Sequence, residues 1–326
     1  VTATFDMAMD PLTITTSTFT LKQGTDVILG SVSYSGNMAS FTPNNPLLAN
    51  AIFTATITTG AKNVAGIAIA NNYVWTFKTI NSSNAPDLGS ASPFGAFGGN
   101  AGITNQGINT VINGSIATTA ASTLVTGFHD ATAIYTETPL NVGNVTGAIA
   151  TAPPMPGTAT SFAIAQQALL DANAAYLSIS PASMPGGIDP GAGELGGLTL
   201  APGIYKSNSG TFNISNGNLT LDAQGDPNAV WIFQTAAGLT VGIAGPTGAK
   251  SVVLINGALP KNVFWYVGST AIINGAGGGT MVGTIIANSG VTFSTAGNAV
   301  QTVLNGRALS LVSSVTMVNT TINVPQ

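Results

Sequence analysis

His129-Asp130 with Glu137 is the one cluster of titratable side chains along the 326 residues. A catalytic triad built on it would need an activated serine and an oxyanion hole nearby. His129 reads instead as a solvated loop histidine. Gly191-Ala-Gly-Glu-Leu-Gly196 fits G-x-G-x-x-G. A dinucleotide fingerprint needs a strand before it and a helix after it, whereas Pro190 precedes and Leu198-Thr-Leu-Ala-Pro202 follows. Asp222 and Asp226 flank Gln224-Gly225. Two carboxylates are few for the roughly six to eight oxygens around a Ca²⁺, so this stretch reads as a turn. The sequence therefore predicts no catalytic residue, no cofactor and no metal.

The remaining candidate is an uncharged set in short strand-like stretches: Thr211, Asn213 and Ser215; Thr240 and Gly242; Thr270, Ile272 and Asn274; Thr292, Ser294 and Ala296; Thr316 and Val318. Small hydroxyls and methyls in a flat array suit neither acid–base chemistry nor a protein hot spot, which favours Trp, Tyr or Arg. Such an array can order water: methyls cage the first shell while hydroxyls and amides pin it. Strand stacking would repeat the array about every 4.7–4.9 Å, close to the oxygen repeat of ice planes. Exposed threonine is also ordinary β propensity, as in Thr54, Thr56 and Thr58 near the N-terminus.

Composition agrees with the absence of charge chemistry. Charged residues are 6 % of the chain, against about 25 % in ordinary globular proteins. Seven scattered cations and a formal charge of −4 exclude a polyanion binder. The 44 % apolar content excludes disorder. The apolar runs, such as Ser251-Val-Val-Leu-Ile255, are strand-sized, so no segment reaches the roughly 18 residues of a membrane span. A chain that begins at Val1 and has no cysteine fits secretion after removal of an export signal.

The elements that must position these residues fall into two parts. Residues 1–80 show period-2 alternation in short bursts, as in Ile52-Phe-Thr-Ala-Thr-Ile57, separated by turn signals such as Ser35-Gly-Asn37. About seven such strands predict a β-sandwich. Residues 81–86, Asn-Ser-Ser-Asn-Ala-Pro, read as a linker, and a second domain runs over 87–326. Within it, Phe162, Ala165, Leu169, Ala172 and Tyr176 form one stripe, which predicts a helix over 158–177 with its cap in Thr158–Ser161 and its end before Pro181.

The rest of the second domain is strand and turn in three recurring classes. The first is the Thr series, whose leading threonines 211, 240, 270, 292 and 316 are taken as equivalent. The second is apolar on both parities: 229–233, 262–267, 282–287 and 306–311. The third comprises 219–221, 252–255 and 300–304. Strands covered on both faces read as the second class does, so the helix should lie against them. Trp231, Phe264 and Trp265 belong there, and Arg307, the only arginine, should be a structural residue beside the helix. Three classes in fixed order predict a solenoid of triangular section with the Thr face bare.

Two resemblances add to this reading. Val1-Thr-Ala-Thr-Phe5, Asp6-Met-Ala-Met-Asp-Pro11, Phe41-Thr-Pro43, Pro46-Leu47 and Trp75-Thr-Phe-Lys-Thr79 resemble the bacterial Ig-like domains of secreted surface proteins, which implies a spacer or tether. Leu200-Ala-Pro-Gly-Ile-Tyr205, Ala229-Val-Trp-Ile-Phe-Gln234, Val263-Phe-Trp-Tyr-Val-Gly268, Val282-Gly-Thr-Ile-Ile-Ala287, Val303-Leu-Asn-Gly-Arg-Ala-Leu309 and 315–322 resemble the microbial ice-binding proteins of the DUF3494 domain family.

That resemblance implies a right-handed discontinuous β-solenoid with the helix alongside, N-terminal rungs from 102–127 and a cap from 128–157. It also brings in Asn298, because Thr295-Ala-Gly-Asn298 fits a motif that some members repeat. The expected protein is a secreted monomer that binds ice crystals, with no nucleic-acid partner and no membrane insertion. It would be tethered to a cell surface or joined to further N-terminal modules. The alternative is an adhesin that binds carbohydrate or a surface through the solenoid. An enzyme on a parallel β-helix would need carboxylates or cations lining a groove, and the sequence does not supply them.

Overall fold

The computed structural model describes residues 1–326 except 46, 48–50, 80–84, 246, 276–277 and 295–299. The chain divides into two compact units, Val1–Ser82 and Ser83–Gln326. Both are built of strands, with one α-helix among the described residues, in the second unit. Most of the expected 81–86 linker lies outside the described residues.

The first unit is antiparallel. Thr2–Thr4, Met38–Pro43 and Gly30–Ser35 form one sheet, and Asp26–Val27, Phe19–Gln23, Ile52–Ile57 and Tyr73–Lys78 form another. Alternation decides which side chains go inside. Phe53, Ala55 and Ile57 are buried while Thr54 and Thr56 face out. Phe19 from one sheet meets Phe41 from the other at 5.7 Å, so the two sheets share a core.

The strands of the second unit pair in parallel apart from one small hairpin, Phe128–His129 with Ile134–Tyr135. A 13-stranded sheet, a seven-stranded sheet and a three-stranded sheet stack their strands rung upon rung. In the large sheet Tyr205, Phe233, Trp265, Ile285, Ala308 and Ala96 are register partners facing the interior. Phe233 and Trp265 stack at 4.1 Å. The alternate residues Ile232, Phe264, Ile286 and Leu309 point the other way, onto the helix. This is why these strands are apolar on both parities.

The helix spans Ala159–Ser178. The Thr158 hydroxyl accepts from the Ser161 amide and the Ser161 hydroxyl accepts from the Thr158 amide, a reciprocal cap. Its buried face is Ala165, Ala168, Ala172, Ala175 and Tyr176, which lets the helix approach the sheet closely. Phe162 and Leu169, expected on that stripe, sit half-buried at its margins. At the helix end Gln234 donates to the carbonyls of Ile179 and Met184, each at 3.0 Å. Twenty residues of helix are about 30 Å long, roughly six rung spacings.

That length lets the chain return along the flank of the stack, and the rungs are discontinuous as a result. The strands Phe94–Gly98, Ile103–Asn105 and Thr110–Asn113 pair in parallel with Thr302–Ser310, Val315–Met317 and Thr320–Asn323. The beginning of the unit thus docks on its end. Arg307 sits at this seam, 6 % exposed, and donates to the carbonyls of Ser92 at 2.7 Å and Pro325 at 3.1 Å. Burial pushes its pKa down to about 10.

Two expectations need correction. Residues 128–157 are not all cap: Gly143–Val145 and Ile149–Ala152 pair in parallel with Thr110–Asn113 and Ser115–Ala121 and so extend the stack. Among the described residues of this stretch, Phe128–His129 with Ile134–Tyr135 and the bridge between Thr138 and Asn141 are antiparallel, and these remain as the cap, which a stack of rungs needs at its end. Residues 302–304, assigned to the third class, belong to the large sheet. The strand Thr302–Ser310 runs on round a corner at Gly306, where a Cβ would lie 1.8 Å from the Gly283 carbonyl oxygen of the adjacent strand. Only glycine permits that approach.

Candidate functional site

The seven-stranded sheet carries the Thr series. Its strands follow the spatial order Val125–Thr126, Ile103–Asn105, Val315–Met317, Gly290–Ser294, Thr270–Asn274, Leu239–Val241 and Phe212–Ile214. Phe212, Leu239, Ala271, Val291, Val315, Ile103 and Val125 are fully buried register partners on the inner side. Strand parity therefore turns the next residue of each strand outward. The outward column is Asn213, Thr240, Ile272, Thr292, Thr316, Thr104 and Thr126.

The column ends in Thr292, Thr316, Thr104 and Thr126 on consecutive strands, about 4.8 Å apart by strand spacing. Thr104 and Thr126 were absent from the residues expected at this face. Their strands are only three and two residues long, too short for alternation to show, and pairing alone exposes their equivalence. Asn105 fixes the Thr104 rung from within. Its side chain donates to the carbonyls of Gly107 and Gly127 at 2.7 and 3.0 Å and accepts from the Thr110 hydroxyl at 2.7 Å.

The other expected residues separate into different positions. Thr211 and Thr270 each lie one residue before the inward Phe212 and Ala271, so they flank the column rather than extend it. Thr270 neighbours Gly290, and Ile272 is 40 % exposed within the column. Gly242 and Asn274 are buried, and the Asn274 amide donates to the Gly242 carbonyl at 3.2 Å instead of facing out. Ser215 is half-buried and bonded to Glu194. Val318 is half-buried just beyond Val315–Met317. Ala296, Asn298 and the 295–298 motif lie outside the described residues, as does the Ser294 side chain.

The face was expected to be free of charge, yet the column is closed at one end by Glu194, which bridges to Asn213. Burial alone would raise its pKa. The Ser215 hydroxyl and the amides of Ser215, Gly196 and Asn216 outweigh that and hold the carboxyl below its usual range. Its oxygens are thereby turned toward the protein. Glu194 lies within Gly191–Gly196, so the glycine-rich stretch serves to close the sheet at the Phe212–Ile214 end.

The titratable groups that stand out in the sequence, His129, Asp130, Glu137 and Asp222, are likewise engaged locally. His129 is not merely solvated: its Nδ1 lies 2.6 Å from Glu137. Asp130 accepts from Thr132, Ala133 and the Ile149 amide. These bonds hold its carboxyl below the usual range against a burial effect that would raise it. Asp222 accepts from the Gln224 amide and from Asn256, both at 2.8 Å. Among the described residues no three His, Asp or Glu side chains gather as a metal site.

Residues 97–323 match a family model described as ice-binding-like, and residues 1–79 match one described as a bacterial Ig-like domain. An ice-binding protein of Nostoc sp. is 36 % identical over 231 residues, 71 % of each chain. One from Leucosporidium sp. is 32 % identical over 73 % of this chain and 83 % of its own. Among solved structures, the ice-binding protein of the Antarctic ascomycete Antarctomyces psychrotrophicus superposes with a TM-score of 0.57 at 31 % identity, covering 74 % of this chain and 99 % of its own. An Arctic yeast ice-binding protein gives 0.59 at 29 % identity, with 76 % and 96 % covered.

Proposed function

The chain belongs to the ice-binding-like family, and we propose that it adsorbs to ice crystals through the outer face of the seven-stranded sheet. The observation that carries this is the column Thr292, Thr316, Thr104 and Thr126 on consecutive strands. Hydroxyls and methyls at one strand spacing hold a two-dimensional lattice of water that an ice plane can share. No side chain within that run of four carries a charge, which would bind its own hydration shell in competition with the lattice. Adsorbed molecules force the ice front to bulge between them, and curvature lowers the freezing point locally. The same pinning opposes recrystallisation.

The contact set is Asn213, Thr240, Ile272, Thr292, Thr316, Thr104 and Thr126, with Thr211 and Thr270 flanking. Ser294, Ala296, Asn298 and Val318 remain part of the proposed margin, while Ser215, Gly242 and Asn274 support it from behind. The rungs wind as a right-handed solenoid over 87–326. Residues 1–80 form an Ig-like sandwich that holds the solenoid away from a cell surface or joins it to other modules, and the protein works outside the cell as a monomer. Attachment to carbohydrate through the solenoid is not favoured, because Trp231, Phe264 and Trp265 are buried.

The test is incorporation into ice. Fluorescently labelled full-length protein should accumulate in a single ice crystal grown slowly from dilute solution, on defined planes, while a labelled inert protein is excluded. Exclusion of the folded protein would overturn the proposal.

A further inference from the structure

The first unit carries an opening that ice adsorption does not use. A groove of about 650 Å³ runs beside the strand Thr2–Thr4, lined by Phe5, Asp6, Asn71, Tyr73 and Trp75 among others. In the same unit Phe19, Phe41 and Phe53 are buried, yet Tyr73 is 65 % exposed. Its ring stands 5.5 Å from that of Trp75 with the planes at 45°. Together the rings make an angled apolar wall open to solvent.

Backbone groups line the same opening. Thr2–Thr4 and Tyr73–Lys78 are each the last strand of their sheet. Val1 and Phe41 exchange backbone bonds at 2.9 and 2.8 Å, and the Phe5 amide donates to Asn37 at 2.8 Å. Antiparallel bonds recur every second residue, so the N–H and C=O groups of Thr2 and Thr4 point away from the partner strand. The Thr79 amide donates to Ala51, which by the same rule turns Val74 and Thr76 outward. Among the described residues these groups have no strand partner on that side, and of them Thr2 and Thr4 line the groove.

We propose that this groove binds a neutral oligosaccharide. A sugar ring presents a face of C–H groups that packs on aromatic rings, and a rim of hydroxyls that both donate and accept. The Asp6 carboxylate and Asn71 amide supply the matching polar groups, and the free edges of Thr2 and Thr4 supply more. No Lys or Arg lines the groove, and Asp6 would repel an acidic glycan. A peptide strand is less well served within the groove, because the Thr2–Thr4 edge is only three residues long and the outward Val74 and Thr76 of the longer Tyr73–Lys78 edge do not line it. The inference goes beyond ice adsorption. It gives the first unit a ligand, so that one chain can join ice to a polysaccharide-coated surface.

The test uses the full-length protein above 0 °C. Cellotetraose, laminaritetraose and mannotetraose are titrated by calorimetry and tryptophan emission, with tetragalacturonate as the acidic probe and an alternating Thr-Val octapeptide as the strand probe. Trp75 is half-buried whereas Trp231 and Trp265 are fully buried, so a change in emission reports the groove. The expected result is binding of at least one neutral tetrasaccharide, weakened about fivefold by Tyr73→Ala, since one aromatic contact is worth about 1 kcal/mol.

Asn71→Ala, outside the strands, should weaken binding as well, and it serves if Tyr73→Ala fails to fold. Three results would each overturn the proposal: no neutral sugar bound at millimolar concentration, binding indifferent to the folded variants, or binding of the peptide or acidic probe alone. Thermal hysteresis of the same variants should equal that of the parent, which keeps failure here distinct from failure of the ice reading.

Discussion

Thr316 and Thr104 are register partners on adjacent parallel strands, although one lies in the last rung along the chain and the other in the first rung of the same unit. The candidate ice face is therefore continuous across a seam where the chain is not. Thr104→Tyr should cut thermal hysteresis about as severely as a change in the C-terminal rungs, with the melting curve preserved. Thr54→Tyr, on the outer side of a strand in the first unit, should leave hysteresis unchanged. Equal hysteresis in all three folded proteins would remove Thr104 from the contact.

How far this was legible in the sequence depends on the signal each feature leaves. The helix was readable because Thr158 caps it and alanines recur at helical spacing. The doubly apolar strands were readable because both neighbours of Trp231 and Phe264 bury apolar groups. Register was not readable. Thr211 and Thr240 look equivalent, but the loops between strands differ in length, and pairing places Asn213, not Thr211, beside Thr240. Asn274 has outward parity and is withdrawn by a bond to Gly242 that no local pattern announces. Thr104 and Thr126 lie in strands too short for periodicity, and the strands Gly143–Val145 and Ile149–Ala152 leave no rung signal for the same reason.

Ile272 is the apolar member of the outward column. Ile272→Lys places a strongly hydrated charge between Thr240 and Thr292. Hysteresis should fall steeply, while stability changes by less than about 0.5 kcal/mol, as for most exposed substitutions. Measurement by nanolitre osmometry and urea unfolding separates the two effects.

The carboxyls of Glu194 and Asp130 titrate below their usual range in the folded protein. A depressed folded pKa contributes stability above the unfolded value, and that contribution is lost as pH falls through the folded value. Melting temperature should therefore decline below about pH 4–5. Glu194→Gln should lower it at pH 7 and flatten the acid decline. An unchanged acid profile in Glu194→Gln would show that its bonds to Ser215 and the amides contribute nothing.

Arg307 ties the start and the end of the second unit through Ser92 and Pro325. Arg307→Met fills similar space without the bonds and should cost about 1–3 kcal/mol, the range for losing buried hydrogen bonds from a charged donor. Urea unfolding should show a lower midpoint for the second unit with an unchanged slope. An unaltered midpoint would contradict the seam role.

The most direct test is thermal hysteresis of Thr292→Tyr beside the parent protein, with circular dichroism and melting curves taken on the same samples. Thr292 lies between Ile272 and Thr316 in the column and is exposed, so a bulky outward ring costs little stability but holds the face off a flat crystal. The account predicts a parent that shapes and arrests ice crystals and a folded variant that has lost most of its hysteresis. Full hysteresis in a folded Thr292→Tyr protein would place ice contact on another face and contradict the account.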